Sequence, residues 1–203
     1  AEEELSRVLP VIEAILSRFP HSIISIDTFY SKVAAAAAAA GAGIINDISA
    51  GRMDEQLLPT VAKLKLPYVA MHMQGNPKEM QVHPHYENVT QEVLDFFIEF
   101  AEQLKFLGID EWIADPGFGF GKTLDHNYQL LKEINCFSIL DRPILMGVSR
   151  KSMIYKALQQ TPEDALNGST VLHTYGLMKG VHILRVHDVK EAKEVTELMN
   201  RLR

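Results

Sequence analysis

Short apolar runs alternating with helical stretches predict an α/β fold of parallel strands, and the polar group closing each run predicts that the strands form a (β/α)8 barrel. Strict alternation admits two solutions, an open doubly wound sheet or a closed barrel. An open sheet gathers its functional groups at one crevice near the switch point, whereas a barrel brings every carboxyl end to one mouth. Here all six runs end in such groups: Asp27, Asn46 with Asp47, His72, Asp115, Ser149 with Lys151, and Arg185 with His187. That distribution favours the barrel. Six of eight strands are visible, and a full barrel takes roughly 250 residues. The 203 residues are therefore expected to be one barrel domain, N-terminally incomplete by two βα units. Those units amount to on the order of 60 residues.

Each element follows from local pattern. Residues 2–19 place Leu5, Val8, Ile12, Ile15 and Phe19 at helical spacing, so an amphipathic helix opens the chain. The β-branched run SIISIDT comes next, followed by a helix over 30–40 whose alanine run, 34–40, combines high helix propensity with a small side chain suited to close packing. GIINDIS, PYVAMHM, EWIADPG, PILMGVS and HILRVHD hold the remaining strands, apolar runs four to six residues long that end in polar groups. Helices are expected between and after them at 53–63, 89–107, 125–134, 168–179 and 190–202.

Composition narrows the function. A net charge of −6 and a pI near 5.7 provide no general attraction for nucleic acid or an anionic membrane, so an anionic ligand must be met by a local basic cluster. No apolar run is long enough to span a membrane, and the acidic AEEEL start is unlike a signal peptide. The lone Cys136 rules out an intrachain disulfide framework and fits a reducing compartment, so a cytoplasmic protein is expected.

The glycines of IADPGFGFGKT, residues 113–123, resemble a phosphate loop but match neither common pattern. A P-loop needs glycine where Pro116 stands, and Gly117, Gly119 and Gly121 are spaced two apart, unlike a dinucleotide fingerprint. Asp27, Asn46 and Asp115 at three strand ends offer two carboxylates and an amide. These suit a flat heterocycle bearing an amino group and ring NH groups, although an acid/base pair or a cation site would use the same types. Phe118 or Phe120 can supply a stacking wall beside flexible backbone. Arg150, Lys151, Arg185 and His187 cluster on the last two strands, where barrels often bind phosphate. Lys151 follows a strand-to-helix turn, Arg185 can stack or fork to phosphate, and His187 can donate to a leaving phosphate. A rim salt bridge is the plainer role for any one of them alone. His72 is read as a structural group, and the HPH pair His83 and His85 as too weak a signal to assign a metal.

SIDT, GAGIINDIS, YVAMHMQGNP, DPGFGFGKT, GVSRKS and RVHD together resemble, in order and across essentially the whole chain, the motifs of the dihydropteroate synthase family. HMQGNP and SRKS separate that family from methyltetrahydrofolate-binding relatives with the same TIM barrel. The resemblance implies a transferase of folate biosynthesis and a sulfonamide target. It would join dihydropterin pyrophosphate to 4-aminobenzoate, release pyrophosphate, and tend to be a homodimer. It further implies that Asp27, Asn46, Asp115 and Lys151 hold the pterin and that Arg185 stacks on it. Arg185 and His187 would meet the pyrophosphate, while Ser149, Lys151 and Phe120 line the aminobenzoate site. Asp27, Asp115, Lys151, Arg185 and His187 are thus the expected catalytic set. Magnesium (Mg²⁺) is expected as cofactor, but the family's asparagine ligand and its Ser-Thr-Arg segment lie on loops that this chain lacks. The chain as written is accordingly expected to bind pterin weakly and turn over little. A corrinoid-linked methyltransferase and a non-catalytic pterin-binding homologue are the alternatives.

Overall fold

The computed structural model describes residues 1–75 and 84–202, and the chain divides into two compact units. His83, and the end of the HMQGNP motif, lie outside the described residues.

The first unit comprises Ala1–Met71 and Glu99–Ile113. It contains α1 (Glu2–Arg18), β1 (Ser25–Asp27), α2 (Ser31–Ala39), β2 (Ile44–Asp47), α3 (Leu57–Leu64) and β3 (Tyr68–Met71), with the end of α4 (Val89–Phe106) and the start of β4 (Trp112–Asp115). Pairing is parallel, with Ser25 opposite Ile44, Asp27 opposite Asn46 and Ile45 opposite Tyr68; the order is β1-β2-β3-β4. The N–H of Tyr68 donates to the Glu111 carbonyl at 3.0 Å, which joins β3 to β4. β2 and β3 are almost wholly buried, as strands covered on both faces must be, and β2 buries the polar Asn46 and Asp47 at its carboxyl end. In β1 the pattern is looser, and Ser25 and Asp27 are exposed.

The alanine run behaves as a thin helix. Val33, Ala34 and Ala37 are fully buried, and α2 packs against both α1 and α3. Small side chains allow that close approach, and high helix propensity keeps the segment regular. α3 begins at Leu57, four residues later than the 53–63 pattern suggests. The reason is Asp54, whose carboxylate accepts the N–H groups of Ser31 at 2.7 Å and Gln56 at 2.9 Å and so holds the preceding residues in a loop. These contacts, led by Ser31, hold its pKa below the usual value.

The second unit comprises His72–Ile98 and Ala114–Arg203. Here the end of β4 is followed by α5 (Leu124–Lys132), a 3₁₀ segment (Ile134–Leu140), β5 (Leu145–Met146), α6 (Ser152–Tyr155), a 3₁₀ turn (Glu163–Ala165), α7 (Leu166–Met178), β6 (Ile183–Leu184) and α8 (Val189–Arg201). Ala114 bridges in parallel to Ile144, and Leu145 and Met146 pair with Ile183 and Leu184. Thr123 caps α5, its side chain accepting the N–H of His126 while the His126 ring accepts the N–H of Thr123. Phe97, Phe118, Phe137, Met146 and Met153 form the core, and Gly176 lets α7 approach Met146, whose Cε lies 2.4 Å from where a Cβ would stand. The last two strands are only two residues long, shorter than their apolar runs, because pairing ends where the chain turns toward its polar groups.

Asp47 organises the first unit. Its buried carboxylate accepts from the Ser49 N–H and hydroxyl at 2.7 Å each, the Gly51 N–H at 2.6 Å and the Tyr68 hydroxyl at 2.8 Å. Burial, and secondarily the Asp47 charge, push the Tyr68 phenol well above its usual pKa, which keeps it a donor to Asp47. Asp47→Ala leaves these donors without their acceptor and should cost about 3–5 kcal/mol. Urea unfolding checks this, and a loss under about 1 kcal/mol would contradict it.

Candidate active site

In the first unit, Asp27 and Asn46 are register partners at the carboxyl ends of adjacent strands. Asn46 is buried and Asp27 exposed. The Asn46 carbonyl accepts the N–H of Thr28 at 3.0 Å, which carries the pairing one residue past β1. Two polar side chains therefore stand side by side at one strand edge, as their motifs suggest.

In the second unit the centre is Asp115, 4 % exposed at the end of β4. Its Oδ1 accepts the Gly117 N–H at 2.9 Å. Burial pushes the carboxyl up in pKa, while Lys151, that N–H, Lys122 and Arg185 act to lower it. The alternating glycines now have a physical account. Gly117, Gly119 and Gly121 all have positive φ, so the chain makes repeated left-handed turns that only glycine adopts without strain. At Gly121 a Cβ would also lie 2.7 Å from the Gln74 carbonyl oxygen. Asn127 on α5 clamps the loop: its Oδ1 accepts the Gly119 N–H at 2.7 Å, and its Nδ2 donates to the Thr123 carbonyl at 2.6 Å.

Lys151 approaches the same loop. Its ammonium donates to the Phe118 carbonyl and sits 4.8 Å from the centre of the half-buried Phe120 ring. Burial lowers its pKa to about 8, with Asp115 opposing and Arg185 assisting that shift. A Cβ on Gly147 would lie 3.9 Å from both the Lys151 Nζ and the Arg185 Cβ, so glycine there leaves room for the two side chains. The exposed His187 meets buried Ser149 twice: its N–H donates to Ser149 Oγ at 3.2 Å, and its Nδ1 is 3.1 Å from the same oxygen. Asp115, Phe120, Ser149, Lys151, Arg185 and His187 thus belong to one unit, linked by these contacts and by the field between Asp115, Lys151 and Arg185.

Arg150 is different from its basic neighbours. It forks to Asp188 with two bonds of 2.8 Å and donates to the carbonyls of Pro162 and Glu163. Its φ of 52° is a left-handed strain, held by an N–H bond to Ser169 Oγ at 2.9 Å. This arginine braces the turn before α6. The sequence shows only one more cation in SRKS, because Asp188 is 38 positions away.

Lys122 and Asn127 carry weight that sequence reasoning missed. Lys122 is buried, with Nζ 3.0 Å from the Nδ1 of His72 and 3.0 and 3.1 Å from the carbonyls of Gly117 and Phe120. Burial lowers its pKa to about 7, Asp115 opposing and Lys151 assisting. A lysine after a glycine run looks like a surface cation or a phosphate ligand, and no local pattern says that it folds inward. His72 proves to be its partner and packs edge-on to Phe96 at 5.1 Å, in keeping with a structural role. His85 binds Gln74 through its backbone. Among the described residues no group of three or more His, Cys, Asp or Glu could hold a metal.

Comparison with known proteins places the chain in a family. Residues 1–187 match the family model for pterin binding enzymes, and the chain belongs to that family. The chain is 46% identical over 200 residues to the dihydropteroate synthase of Escherichia coli K12, covering 98% of this chain and 70% of that protein. The crystal structure of Yersinia pestis dihydropteroate synthase in a sulfonamide drug complex superposes with a TM-score of 0.96 at 40% identity, over 100% of this chain and 74% of that one. The Xanthomonas albilineans enzyme in complex with 7,8-dihydropteroate gives 0.90 at 38%, over 99% and 74%. The fold is thus the (β/α)8 TIM barrel of these enzymes, of which the described residues supply six strands. No helix among the described residues is long and apolar enough to cross a membrane.

The lowered pKa of Lys122 sets a direction for stability. Between about pH 7 and 10.5 the unfolded chain holds a proton at this site that the folded chain releases. The cost of burying the ammonium is fully present below pH 7 and is relieved as pH rises through that window. The stability of the wild type relative to Lys122→Met should therefore rise from pH 7 to pH 10 in urea unfolding, and a flat or falling difference would contradict the assignment.

Proposed function

We propose that these strand ends carry the dihydropteroate synthase reaction, with Asp27, Asn46, Asp115 and Lys151 on the pterin. Arg185 and His187 meet the diphosphate, and Phe120, Ser149 and Lys151 adjoin the aminobenzoate. Dihydropteroate synthase is the activity of the chain's close relatives. The reading of the residues rests above all on one observation, the buried carboxylate of Asp115 in the field of Lys151, whose ammonium lies 4.8 Å from the Phe120 ring. That grouping suits a flat ring with NH groups on its edge and a cation and an aromatic face beside it.

The amine nitrogen of 4-aminobenzoate attacks the methylene carbon of dihydropterin pyrophosphate. The new C–N bond forms as the C–O bond to the diphosphate breaks, and the amine loses a proton to solvent or the departing anion. Positive charge develops on the pterin, where the carboxylates of Asp27 and Asp115 act, and negative charge on the diphosphate, where Arg185 and His187 act. No nucleophile on the protein is required, so the step needs no covalent bond to Ser149, whose hydroxyl lies 3.1 Å from the His187 Nδ1.

The described residues do not form a magnesium site of their own. Magnesium commonly binds through substrate phosphates with one or two protein oxygens. It would come with the diphosphate, and no step is routed through it. The reading extends to a cytoplasmic homodimer, supported by the free Cys136 and by the exposed Val171, Met178, Val189 and Leu198 on α7 and α8. Light scattering should give a mass near twice 22.8 kDa for this chain, and a strict monomer would rule out that state.

Pyrophosphate released only when both substrates are present separates this activity from methyl transfer and from simple pterin binding. In that assay Lys151→Ala should raise KM for both substrates and lower kcat/KM by about tenfold or more. Unchanged kinetics would remove Lys151 from the site.

A further inference from the structure

Lys122 uses its ammonium on a loop when a neutral donor would bridge the same carbonyls at less cost. The two carbonyls it holds, those of Gly117 and Phe120, flank Phe118 and Gly119. Gly117 is bound at both ends, its carbonyl by Lys122 and its N–H by Asp115. Phe118, inside the bridged span, offers its carbonyl to Lys151. The three glycines have the widest backbone freedom of any residue, so the loop depends on side-chain ties: Asn127 holds the Gly119 N–H, and Lys122 holds the carbonyls on either side. The positive charge of Lys122 also acts on Asp115, which burial disfavours as an anion.

We propose that Lys122 is a positioning residue for pterin recognition, tying the glycine loop through the carbonyls of Gly117 and Phe120 so that the Asp115 carboxylate and the Phe118 anchor of Lys151 are held in place. The proposal rests on the reading that Asp115 receives the pterin. Both protonation states of Lys122 retain the two carbonyl bonds, since a neutral amine still has two hydrogens to donate. The ammonium donates to His72 Nδ1, whereas the neutral amine accepts from it, so His72 serves either state by a change of tautomer.

A double-mutant cycle between Lys122→Met and Asp115→Asn tests this, with pterin binding by calorimetry and pyrophosphate release as readouts. Lys122→Met should weaken pterin binding by about tenfold or more and raise KM for the pterin substrate more than it lowers kcat. In the Asp115→Asn background the further loss should be at least about threefold smaller than in the wild type, because one of the two groups it positions is already altered. A residue that only stabilises the fold would give independent, multiplicative losses, and that result overturns the proposal. Unchanged pterin affinity, or a fall in kcat alone, overturns it too. Lys122→Gln keeps donors for both carbonyls without the charge and should hold pterin affinity within about threefold of the wild type; if Lys122→Met fails to fold, a loss of about tenfold or more in Lys122→Gln overturns the proposal. If Asp115→Asn alone leaves pterin binding intact, the site reading fails, which is a different outcome from additivity between the two positions.

Discussion

A carboxylate buried at the end of β4 is the constraint around which the second unit is arranged. Asp115 would be costly as an isolated anion. What offsets that cost is specific: one backbone N–H from Gly117 and the field of Lys151, Lys122 and Arg185. Each compensating group then needs support of its own. Lys122 requires two carbonyls and a histidine ring, Lys151 requires the Phe118 carbonyl, and the carbonyls are presented only by a loop that turns left-handed three times. The glycines, the phenylalanines and both lysines are thus consequences of one buried charge.

The first unit has a parallel case with a different purpose. Asp47 is more completely buried than Asp115, yet its four acceptor contacts are all with its own loop and Tyr68. With four donors on its two oxygens it serves as a fastener of its own loop. Two acidic strand ends with the same sequence signature are therefore separated by hydrogen-bond saturation, which only the structure reveals.

Much of the fold was legible because it depends on periodicity. The order of strands and helices and the alanine helix follow from local pattern, and helix ends agree to within about two residues apart from the start of α3, where Asp54 holds Ser31 from 23 positions away. The carboxylates and basic residues of the site were equally visible, since each lies at the end of an apolar run. What could not be read were partners distant in sequence: Arg150 with Asp188, Lys122 with His72, Asn127 with Gly119. Such pairs leave no periodic trace. They turned one expected anion ligand, Arg150, into a brace, and an unremarked lysine into part of the centre.

The alanine helix carries one last implication. Along a homopolymer, a slide of one residue exchanges like for like, so residues 34–40 contain almost no information about where α2 should stop its travel along its own axis. That information must come from the two flanks. Val33 is buried at one end, and at the other Gly41, with φ of 106° and a Leu16 methyl 2.5 Å from any added Cβ, admits nothing larger. The helix is indexed like a ruler with marks only at its tips, and a single inserted or deleted alanine would force one tip or the other out of its seat.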